Sequence, residues 1–180
     1  MAVRSFQYDT FSLMLHWSLT ILIFAIGFSA PFMDHRSQND LIVFIGQFHI
    51  IGGYVVLGLA VISVMWWASR QVPPRVADIE AGEQRWMKLA VRTMVILLFL
   101  SPLTGIGYLA AVGQGLELGS WKIAFDTGLS RPALNWLSLS HHVVSAALVV
   151  LGGAHSLHVV WHHMVREDSL IGRMIPWHRL

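Results

Sequence analysis

Residues 134–165 read LNWLSLSHHVVSAALVVLGGAHSLHVVWHHMV, without a single Asp, Glu, Lys or Arg. The run exceeds the roughly 20 residues that cross about 30 Å of hydrocarbon as a helix. It nevertheless carries histidines, and two of them, His141 and His155, stand fourteen residues apart. At about 100° per residue that spacing is four turns less about 40°, so both lie on one stripe roughly 21 Å apart along the axis. His142 points to the far side. His158, one turn beyond His155, lies about 60° off its direction and competes with it as a ligand.

Working outward, three more apolar runs precede this one: Phe11–Phe32, Leu41–Ala68 and Leu89–Val112. A lipid-buried backbone must satisfy its own hydrogen bonds, so each run reads as a helix. The composition agrees, with 55% hydrophobic and 12% charged residues and a mean hydropathy of +0.60. A soluble domain carries about a quarter charged residues. The expectation is an all-α, integral membrane four-helix bundle, forming a single domain over residues 1–180. The connectors are Asp34–Asp40, a charged loop opened by Val72-Pro73-Pro74-Arg75, and Gly113–Pro132 with an amphipathic stretch around Trp121. The first run carries a histidine and reads as a retained helix. The net charge of +2 says nothing by itself about nucleic acid, and with no soluble basic domain to bind it, no nucleic-acid partner is expected.

Lys and Arg set the orientation. With the N-terminus inside, nine fall on inner segments (Arg4, Arg70, Arg75, Arg85, Lys88, Arg92, Arg166, Arg173, Arg179). Three fall outside: Arg36, Lys122 and Arg131. Both termini are therefore expected in the cytoplasm. Trp66, Trp67, Trp86, Trp136 and Trp161 sit near run ends, as an interfacial belt or as packing residues.

Four histidines lie well inside the apolar runs: His16, His49, His141 and His155. Ionisable groups in a membrane are costly and default to function. They have no carboxylates beside them in sequence, which disfavours an Asp/Glu/His proton relay. An imidazole bonded to haem iron is neutral, which resolves the cost of burial. There is no cysteine, so disulfides, iron–sulfur clusters and covalent C-x-x-C-H haem attachment are excluded. Depth then pairs the histidines. His16 and His155 meet in the inner half, and His49 and His141 in the outer half, giving two b haems per chain. Thr20, Gly52, Gly53, Ser145 and Gly152 fall on the ligands' faces and offer openings for a flat macrocycle. The alternative is that these small residues serve close helix packing. His35, His162, His163 and His178 read as solvated or interfacial; His162 and His163 could meet a headgroup or a surface metal, but nothing in sequence closes a ligand set.

With ligands on runs 1, 2 and 4 and none on run 3, the chain resembles the bacterial cytochrome b561 family over almost its whole length. The matching pieces are Leu15-His16-Trp17, His49-Ile50-Ile51-Gly52 and Ser101-Pro102-Leu103-Thr104-Gly105. On run 4 and after it they are His141 with His155, His162-His163, Asp168-Ser169-Leu170 and Arg173-Met174-Ile175-Pro176. The resemblance implies axial haem ligation by His16, His49, His141 and His155. It implies a multi-pass oxidoreductase of the bacterial inner membrane that exchanges electrons with ubiquinone. In some members it implies oxidation of superoxide at the periplasmic face. A second reading is a cytochrome b subunit that anchors a dehydrogenase or serves a larger respiratory complex. A third, a histidine-lined metal transporter, is opposed by the two depths at which the histidines lie.

Overall fold

The computed structural model describes residues 8–34, 37–69, 80–113, 116–118, 121–123, 128–167 and 171–174. His35, His178, the Val72–Arg75 connection, Asp168-Ser169-Leu170 and Ile175-Pro176 lie outside them. Four long helices dominate: α1 (Thr10–Ser29), α2 (Asp40–Ala68), α3 (Ala81–Ala111) and α4 (Arg131–Trp161). All four are long and apolar enough to span a membrane. The chain is thus a multi-pass membrane protein built on four helices.

The helix ends follow local chemistry. Asp9 caps α1, its carboxylate accepting from the Ser12 amide at 3.1 Å. Asn39 caps α2, accepting from the Leu41 amide at 3.0 Å. Pro132 occupies the first turn of α4, where a missing N–H costs nothing. α1 tightens at its end into a 3-10 turn, Ala30–Phe32. α4 widens into a π-turn, His162–Arg166, which stops at Glu167 in the left-handed conformation (φ 54°). Two antiparallel strands, β1 (Leu116–Leu118) and β2 (Trp121–Ile123), pair Leu116 with Ile123. They occupy the connection where the sequence suggested an amphipathic stretch. α3 starts two turns ahead of the expected Leu89, because Glu83, Gln84, Arg85 and Lys88 extend the helix beyond its apolar part.

The helices pack in ring order, α1 on α2, α2 on α3 and α3 on α4, with α4 touching α1 more lightly. Leu13, Leu15, Leu19, Val56, Ala60 and Leu148 are buried. Ile21, Phe28, Met65, Val150 and Leu157 are each at least 65% exposed, which only a hydrocarbon solvent tolerates at this density. Close approach relies on missing side chains. A Cβ on Gly27 would lie 2.7 Å from Val149 Cγ2, and one on Gly52 would lie 2.7 Å from Ile26 Cδ1.

One end of the bundle gathers the start of α1, the end of α2, the start of α3 and the end of α4. There the Trp66 indole donates to Ser12 Oγ at 3.1 Å, and Asp9 Oδ2 lies 3.4 Å away. The Trp17 indole donates to the Met174 carbonyl at 2.8 Å, tying α1 to the 3-10 turn Ile171–Arg173. The opposite end carries the strand pair. Trp86 and Trp136 are 72% and 71% exposed, in keeping with an interfacial belt. Trp66 departs from that reading, since its polar edge is used inside the protein.

Candidate functional site

His49 and His141 meet toward the strand-pair end, with ring centroids 6.2 Å apart and planes at 85°. They come from α2 and α4, which lie across the bundle from each other. Each ring is steered by a neighbouring helix that supplies no histidine of the pair. His49 Nδ1 lies 3.2 Å from the Ile26 carbonyl of α1 and 3.4 Å from Ser29 Oγ. His141 Nδ1 lies 3.0 Å from the Ser101 carbonyl of α3 and 3.3 Å from Thr104 Oγ1. A carbonyl only accepts, so Nδ1 carries the proton on both rings and the lone pair sits on Nε2. Metal-ligating histidines are oriented in just this way.

Local sequence shapes the His141 side of the site. Pro102 has no N–H to donate, so the helical bond to the Leu98 carbonyl one turn earlier cannot form. The Thr104 hydroxyl bonds back to the Leu100 and Ser101 carbonyls, both at 2.8 Å. Ser101 and Ser145 join α3 to α4 through their hydroxyls at 2.7 Å. Gly105 completes the seat: a Cβ there would lie 2.9 Å from His141 Cε1.

His16 and His155 occupy the other half, toward the chain-start end of α1. Both are half-buried. His16 packs edge-on to Trp17 with centroids 5.6 Å apart. Of the two pairs expected from depth, His49 and His141 meet as rings, and His16 and His155 lie in the other half of the bundle. His142 is exposed, with Nδ1 2.7 Å from the Ser138 carbonyl of its own helix. His158 faces Glu83 and His162.

The small residues behave differently from expectation. Gly52 is filled by Ile26, Ser145 is engaged by Ser101, and the Thr20 hydroxyl bonds to the His16 carbonyl at 2.9 Å. A Cβ on Gly152 would meet Phe24 at 3.7 Å, an ordinary contact. Gly53 has nothing within 4 Å of the Cβ position and is the one of these sites that stands open. Close helix packing accounts for most of them. His162 also differs from its solvated reading, for it is fully buried. The π-turn carries it over the first turn of α3, where Glu83 receives it.

The family model for prokaryotic cytochrome b561 matches residues 7–177. The chain belongs to the prokaryotic cytochrome b561 family. A comparison with curated proteins finds no match. Cytochrome b561 membership makes b-type haem the cofactor and transmembrane electron transfer the activity. The donor set accepts that group. An imidazole nitrogen bonds a first-row metal at about 2 Å, so two rings on one ion stand with centroids about 6 Å apart. The His49–His141 separation of 6.2 Å is of that size. Two main-chain carbonyls that sequence reading passed over help position these rings. The Ile26 and Ser101 carbonyls leave no trace in side-chain identity. Gly105 and Pro102 were visible within the Ser-Pro-Leu-Thr-Gly stretch.

Proposed function

We propose that the chain holds two b haems, one between His49 and His141 and one between His16 and His155. The reading is carried by the 6.2 Å approach of His49 to His141 with both Nδ1 atoms on carbonyls. When bound, the haems supply two one-electron carriers in series, one in each half of the bilayer. With one histidine held on each side, neither site would leave an open metal position for dioxygen. α4 contributes one ligand to each pair and fixes their separation.

The redox partner at the membrane is the ubiquinone pool, because an apolar chain of this composition has lipid-soluble carriers as its nearest reactants. Superoxide is the donor proposed at the strand-pair end, reacting at a porphyrin edge without binding to metal. The membrane is the bacterial inner membrane, with both termini cytoplasmic, in line with nine Lys and Arg on one side against three on the other.

Pyridine haemochrome analysis against protein concentration is expected to return about two haems per chain for bis-histidyl pairs at two depths. A ratio near one overturns the two-site reading. His16→Ala and His141→Ala are expected to remove different components of the reduced spectrum; loss of the same component overturns the pairing. Anaerobic mixing of reduced protein with a short-chain ubiquinone analogue is expected to reoxidise it rapidly. A rate equal to that in buffer overturns the quinone assignment.

A further inference from the structure

Away from the two histidine pairs, Glu83, His158 and His162 converge where the start of α3 meets the end of α4. Glu83 Oε1 lies 2.7 Å from His162 Nε2 and 3.5 Å from His158 Nε2. The three ligand atoms all lie within 4.8 Å of one another, the one such group among the described residues. The two histidines are one helical turn apart, with ring centroids separated by 4.5 Å. His162 is fully buried. His158 Nε2 is itself buried and makes no hydrogen bond, although it faces the carboxylate oxygen. The second carboxylate oxygen is engaged separately, by Arg166 at 2.9 Å.

We propose that Glu83, His158 and His162 form a binding site for one divalent first-row transition metal ion, with Zn²⁺ as the best match. Two imidazoles and one carboxylate are a donor set that zinc accepts, leaving a fourth position for water. Tetrahedral bonds of about 2 Å place ligand atoms about 3 Å apart, so side-chain adjustment closes the remaining gap. The ion meets the unmet capacity of His158 Nε2, which a lone proton between Glu83 and His162 does not. It also bolts the first turn of α3 to the last turn of α4. Arg166 opposes it, because its guanidinium competes for the same carboxylate and adds a like charge.

The test uses the haem-loaded, tag-free protein in nanodiscs, stripped with chelator and dialysed against Zn²⁺. Bound zinc is read by elemental analysis and the haem spectrum is read alongside. One saturable Zn²⁺ per chain is expected, weakened at least tenfold in Glu83→Gln and in His162→Gln. Arg166→Gln is expected to bind as tightly as the parent or several-fold more tightly, whereas a purely structural ion-pair cluster would bind no zinc in any variant. Should His162→Gln lose its haem spectrum, Glu83→Gln alone decides. Absence of a saturable site, or affinity unchanged in Glu83→Gln, overturns the proposal.

Discussion

Gly105 has no side chain where the His141 ring needs space, and this is the most sensitive single position at the strand-pair end. A Cβ would stand 2.9 Å from Cε1 and 3.1 Å from Nδ1 of that ring. Gly→Ala in a helix interior ordinarily stabilises by about 1 kcal/mol. Gly105→Ala is instead expected to displace the imidazole from the Ser101 carbonyl and to shift or remove one haem component. Gly107→Ala is the control, since its Cβ meets only Leu137 at 3.8 Å. Reduced-minus-oxidised spectra of the two variants check this, and equal spectra would contradict the seat described here. The four intramembrane histidines were legible because an ionisable group stands out in an apolar run. Their carbonyl partners were not, because every residue has a carbonyl and only the fold selects Ile26 and Ser101. His162 was misread for a related reason: its partner Glu83 lies on another helix, and no local pattern joins them.

At the scale of the helix, Asp9 does two things at once. It caps α1 through the Ser12 amide and lies in reach of the Trp66 indole from α2. Asp9→Ala is expected to lower stability by about 1 kcal/mol, the usual cost of a lost N-cap, with more if the Trp66 contact goes too. Asp9→Asn keeps an acceptor and should recover most of it. Thermal loss of the haem absorption in detergent measures both. The spans of α1, α2 and α4 were readable from hydropathy to within a few residues, because lipid demands uninterrupted apolar length. The start of α3 was not, because its first two turns are polar. Those turns matter: they bring Glu83 to His162.

For the whole molecule, little of the apolar surface of α3 and α4 is buried against other helices. Only 6% of the apolar window of α3, and 6% of that of α4, is buried. Much of the stability of the loaded protein should therefore come from its cofactor by mass action, about 2.7 kcal/mol once a ligand reaches a hundred times its Kd. Protein made under haem limitation is expected to melt at lower temperature and to be cleaved faster in the connections. Added haemin should restore both properties. Equal melting of loaded and haem-free protein would show that the helices hold themselves together. The bundle as a class was legible from four apolar runs, and depth suggested that His49 of α2 faces His141 of α4; the ring order was not legible, since hydropathy carries no information on neighbours.

The fourteen-residue interval between His141 and His155 makes α4 a measuring rod with a fixed length. One inserted residue between them turns everything beyond it by about 100° and advances it by about 1.5 Å. His155, His158 and His162 would all leave their partners together, while His141 stayed in place. An insertion of seven residues keeps the angle to within about 20° but lengthens the rod by about 10 Å, more than a bilayer of given thickness forgives. Length variation over evolution should accordingly be barred from 141–155 and confined to stretches such as 113–131, where nothing is being measured.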